Sequence, residues 1–64
     1  MDIETIHNSL VNGQKKQMVS QIDEYGLYEF WADYKNYVTS LYDLLPAWQA
    51  FTDATISYFR IKNR

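Results

Sequence analysis

The chain holds a single histidine, His7, three residues after Glu4. On a helix, Glu-x-x-His sets a carboxylate and an imidazole on neighbouring turns of one face. Di-iron helical bundles use two such units together with two further carboxylates. One unit per chain could complete that set only in a symmetric dimer, and Asp23, Glu24, Glu29 and Asp33 fall on polar faces of their segments. The expectation is therefore no metal and no other cofactor, with Glu4 exposed beside a histidine at the edge of an apolar stripe. Nucleophilic catalysis fares no better. Ser9, Ser20, Ser40 and Ser57 would each need a histidine base oriented by a third group, and His7 could serve one of them. There is no cysteine, no Gly-x-Ser-x-Gly turn and no glycine-rich phosphate cradle. Asp23 and Glu24 are adjacent and so diverge on a helix. The residue types point to a non-enzymatic protein.

Whatever the side chains do, few residues are available to position them. Sixty-four residues enclose one core at most, so the chain reads as a single domain, 1–64. Ordering them costs on the order of 100 kcal/mol of conformational entropy. The offsetting burial must come from 2 Trp, 6 Tyr and 3 Phe, most of them after residue 27. Domains of this size are marginal, and association with a second copy is the expected remedy. No apolar run approaches the roughly 18 residues of a membrane span. The first twenty residues lack a basic start followed by an apolar stretch, so no secretory signal is expected and the cytoplasm is the default compartment.

The pattern is all-α throughout. Ile3, Ile6, Leu10 and Val11 recur at helical spacing behind a capping Asp2, predicting a helix over about 2–12 that Asn12-Gly13 ends. Met18, Val19, Ile22 and Tyr25 mark a second helix over about 14–25, closed by Gly26 in the left-handed conformation. Leu27, Phe30, Trp31, Tyr34, Val38, Leu41 and Leu45 form the strongest stripe, on a helix over about 27–43 whose apolar arc exceeds the ~100° that one neighbour requires. Pro46 suits the first turn of a fourth helix over about 46–61, with Asp43 able to cap it. That helix is apolar nearly all round, with one polar stripe at Gln49, Asp53, Ser57 and Arg60; Lys62, Asn63 and Arg64 then fray. Trp48 and Phe51 are expected in its core face. The architecture implied is two packed helical hairpins. No oppositely charged pair stands at i, i+3 or i, i+4, so contacts between helices must hold them.

Two classes of partner remain. Placing Gly13 at the turn of a helix-turn-helix puts Val19 at a core position, but Asn8 and Gln14 occupy positions expected to be apolar. Lys15 and Lys16 share the would-be reading helix with Asp23 and Glu24, and the net charge of -2 opposes counterion-driven binding. A DNA-associated regulator is the alternative; a protein partner is the leading reading. Surplus aromatics carry that reading, because Tyr and Trp are enriched among interface anchors. Tyr28 and Tyr42 on one edge of the third helix, Tyr37 on the other, and Ile56 on the fourth are the candidate contact residues, shared with a protein partner or a second copy. In size, acidity and lack of cysteine the chain resembles small accessory proteins of phages, plasmids and other mobile elements, which implies action on a host protein.

Overall fold

The computed structural model describes residues 2–63, and it is all-α: α1 (Ile3–Val11), α2 (Lys15–Tyr25), α3 (Leu27–Leu41) and α4 (Leu44–Lys62). The helices pair as two hairpins, α1 with α2 and α3 with α4, and α2 packs across both α3 and α4.

Local chemistry sets most of the boundaries. Asp2 caps α1, its carboxylate accepting from the Thr5 amide at 2.9 Å and from the Thr5 hydroxyl at 2.7 Å. These bonds satisfy an otherwise orphaned amide and hold the Asp2 carboxyl below its usual range. α1 ends in a Schellman motif: the Gly13 amide donates to Leu10 O (3.1 Å) and the Gln14 amide to Ser9 O (2.9 Å). Gly13 supplies the positive φ, +78°, that this motif requires.

Gly26 behaves differently from the expected left-handed cap. Its φ of 114° and ψ of 123° form an extended conformation at positive φ. It ends α2 through its amide, bonded to Ile22 O, and starts α3 through its carbonyl, which accepts from Phe30 N. One residue thus makes the whole corner between two helices.

The α3–α4 break also falls earlier than the sequence implied. α3 stops at Leu41 rather than about 43, and α4 starts at Leu44 rather than at Pro46. A proline ring collides with the carbonyl four residues before it in a continuous helix. The break therefore belongs at Tyr42, which is extended (φ -124°, ψ 161°). Pro46 then sits in the first turn, where its missing N–H is lost at no cost. Asp43 takes the N-cap position without a side-chain bond to the helix.

The core joins aliphatic side chains of the first hairpin (Ile6, Leu10, Met18, Val19, Ile22) to Phe30, Tyr34 and Val38 of α3 and Ala47, Ala54 and Tyr58 of α4. Residues from 27 onward supply most of it, with Trp31, Tyr37, Tyr42 and Phe51 packed partly buried against the core. Alanines at 47 and 54 let α4 approach closely, and several of its large side chains lie outside. Leu41 and Leu45 are exposed, and so is Trp48, which the pattern had assigned to the core. Ser57, read as part of the polar stripe, is buried and donates to Asp53 at 3.1 Å.

The two ion pairs among the described residues tie α4 to the first hairpin: Lys15–Asp53 (3.4 Å) and Lys62–Asp23 (2.9 Å). Lys62 is thus anchored rather than frayed; Arg64 lies outside the described residues. Asp23 also accepts from the Tyr58 hydroxyl at 2.5 Å. The Lys62 ammonium and that hydroxyl hold the Asp23 carboxyl below its usual range.

Candidate functional site

Two features stand out, on opposite sides of α3. The first is His7. It is buried, not at the edge of its stripe, because α1 lays this face against α3. Its Nδ1 lies 2.7 Å from the Tyr34 hydroxyl and its Nε2 2.6 Å from the Tyr42 hydroxyl. A neutral imidazole fits both: one ring nitrogen donates and the other accepts. Tyr37 closes the cluster with its ring edge-on at 5.3 Å. Burial lowers the basicity of His7 and raises the Tyr34 and Tyr37 hydroxyls above their ordinary pKa. Tyr42 reaches His7 only because the chain is extended there, so the helix break builds the cluster. A second buried polar contact, Ser9 to Gln21 Oε1 at 2.7 Å, joins α1 to α2. No buried side-chain polar atom among the described residues lacks a hydrogen-bond partner.

Glu4 is exposed, both imidazole nitrogens are bonded to tyrosine hydroxyls, and no group of three His, Asp or Glu side chains able to hold a cation occurs among the described residues. A cleft of about 300 Å³ beside His7, lined by Tyr42, Gln49 and Asp53, is open and shallow.

The second feature is the outer face of the α3–α4 hairpin, away from α1. Leu44 and Trp48 are 83% and 66% exposed on α4, and Phe59 is exposed farther along the same stripe. Phe51 and Thr55 lie between them, half-buried. From α3, Tyr28 (84% exposed) and Trp31 flank the Phe59 end. Two apolar grooves run along this face and share Phe51. One, about 370 Å³, lies among Val38, Leu44, Trp48 and Lys35; the other, about 430 Å³, lies among Leu27, Tyr28, Trp31 and Phe59. Rings underneath hold the surface in place. Trp31 stacks on Phe59 at 6.3 Å and meets Phe51 and Tyr58 edge-on, both at 5.9 Å.

The structure therefore separates the four residues that the sequence grouped. Tyr28 and Ile56 are exposed on the hairpin's outer surface. Tyr37 and Tyr42 are partly buried around His7, on the other side of α3. Sequence reasoning missed Leu44, Trp48 and Phe59 as surface residues. Their spacing, 44, 48, 51, 55, 59, is a complete helical stripe, legible in the sequence, but a stripe does not say which of two apolar faces a helix buries.

Of the basic residues behind the helix-turn-helix alternative, Lys15 pairs with Asp53 and Lys62 with Asp23, while Lys16 is exposed on α2 beside Ser20 and Glu24. No described helix is long and apolar enough to cross a membrane. Compared with known proteins, the chain matches no family model, no curated protein and no solved structure.

Proposed function

We propose that the protein is a non-enzymatic interaction module whose docking surface is the outer face of the α3–α4 hairpin. The observation that carries this reading is the contiguous stripe of exposed Leu44, Trp48 and Phe59 with half-buried Phe51 and Thr55 between them, and Tyr28 and Trp31 beside it. Contiguous apolar surface of this kind costs solubility, and soluble proteins keep it where another surface covers it. The grooves on either side of Phe51 suit the ridge of a partner helix, which presents side chains at the same three- and four-residue spacing. Lys35 is the one charged side chain lining them, so the occupant is apolar along its contact stripe. Tyr28 and Ile56 bound this surface; Tyr37 and Tyr42 stabilise the hairpin that presents it.

The test is site-specific photocrosslinking in cells. A photoreactive phenylalanine analogue, which keeps an aromatic ring at the position, replaces Trp48 in one form and exposed Asn36 of α3 in another. The reading expects a discrete adduct, to a second copy or to another protein, from position 48 and none from position 36. Absence of an adduct at 48, or equal adducts at both positions, overturns it.

A further inference from the structure

The occupant of this face can be narrowed, on the reading just given, from the stripe itself. We infer that α4 pairs antiparallel with α4 of a second copy, in a two-fold symmetric dimer with Phe51 and Thr52 at the axis. A two-fold interface requires a surface complementary to itself after reversal. The α4 stripe meets that condition. Reversed about the 51–52 step, Leu44 falls opposite the partner's Phe59 and Trp48 opposite the partner's Thr55, while Phe51, next to the axis, meets the partner's Phe51. The Trp48 ring meets a small residue, the alternation that lets facing helices interdigitate. The Thr55 hydroxyl already donates to Phe51 O at 2.9 Å, so its methyl can face the partner ring without leaving a polar group unpaired. On the outer flank, Leu45 comes beside the partner's Ile56, which accounts for two exposed aliphatics that the groove alone leaves uncovered.

Area supports the same occupant. The exposed fractions of Tyr28, Leu44, Leu45, Trp48, Ile56 and Phe59 amount to nearly four whole side chains. About half of this is aromatic, at roughly 150–250 Å² per whole side chain, and half is smaller aliphatic, which gives on the order of 600 Å² per copy. That reaches the lower end of the roughly 600–1,000 Å² each partner gives in a stable interface. Charge does not oppose it: Asp53, the one acid in the middle of α4, is turned toward Lys15 of its own chain. Phe59 is already stacked on Trp31, so little ordering is needed on association.

Sedimentation equilibrium of the purified full chain measures the association, and circular dichroism checks that each variant stays folded. The wild type is expected to dimerise at micromolar concentration, no more weakly at high salt than at low salt. Trp48→Glu is expected to weaken the dimer at least about tenfold, as for a central interface anchor. Register is tested by a size swap. Thr55→Trp alone sets Trp against Trp and weakens association, whereas Trp48→Thr combined with Thr55→Trp restores the large–small pairing and recovers it. The chain is free of cysteine, so disulfide trapping is clean. A mixture of Leu44→Cys and Phe59→Cys chains is expected to give the mixed dimer in preference to either symmetric one. A wild type that stays monomeric, a double swap that fails to recover association, or cross-links in another register overturns the inference. If the chain is monomeric while position 48 still crosslinks to a different protein, this inference fails and the docking surface stands; if neither occurs, both fail.

Discussion

A histidine buried between two tyrosine hydroxyls is satisfied as a neutral base and poorly served as a cation, because no carboxylate bonds it. Tyr34 is the more deeply buried of the two hydroxyl partners, so Tyr34→Phe leaves Nδ1 of His7 without a partner. The expected cost is about 1–3 kcal/mol of stability, read by urea unfolding; an unchanged midpoint would show that water replaces the hydroxyl freely. Burial places the folded-state pKa of His7 below its ordinary 6.5. As pH falls through 6.5 the unfolded chain takes up a proton that the folded chain refuses. Stability is therefore full above 6.5 and declines below it, until the folded-state pKa is reached. Asp2, Glu4, Tyr34, Tyr37, Tyr42 and Asp53 are the other titratable groups around this centre. Asp23, also lowered, contributes its own loss only at more acid pH, below its ordinary 3.8. A urea-midpoint titration is expected to show the 6.5 inflection in the wild type and to lose it in His7→Gln.

At the scale of the element, each helix depends on its ends more than on its own surface. Among the described residues no helix carries an internal ion pair, and α2 starts at Gln14 without a side-chain cap. The well-made terminus is that of α1. Asp2→Ala is expected to cost about 0.5–2 kcal/mol through the lost cap. Gly13→Ala is expected to cost about 1–2 kcal/mol through backbone strain alone, since the space for a methyl group is open. At Gly26 an added Cβ would meet the Glu29 carboxylate at 2.6 Å, a flexible neighbour that can turn away, so the backbone conformation again sets the penalty. Thermal unfolding of the two alanine variants tests whether both ends matter; a Gly13→Ala variant as stable as the wild type would contradict the Schellman geometry.

In the whole molecule, stability and interaction are carried by different faces of the same hairpin. Ile22 is fully buried where α2 meets the core, and Ile22→Ala is expected to cost about 2–5 kcal/mol. Trp48→Ser, at a dilution where the chain is monomeric, is expected to change stability by no more than about 0.5 kcal/mol, because the ring is mostly in water. The same substitution is expected to abolish docking. Paired unfolding and sedimentation measurements on the two variants would show the separation; a Trp48→Ser chain that unfolds as readily as Ile22→Ala would place Trp48 in the core after all.

Sequence alone determined the helices, their order and four of their boundaries, because apolar spacing, Asp2, Gly13 and Gly26 act within a few residues of themselves. It also showed that α3 and α4 hold more apolar surface than one core can take. Tertiary structure decided which part of that surface is left over. Ala47 and Ala54 let α4 lie close to its neighbours with one face, and that choice turned Trp48 and Phe59 outward. It likewise brought His7 of α1 to Tyr34 and to the extended Tyr42. Helical periodicity fixes the angle between side chains on one element; only packing between elements selects the angle that faces the core.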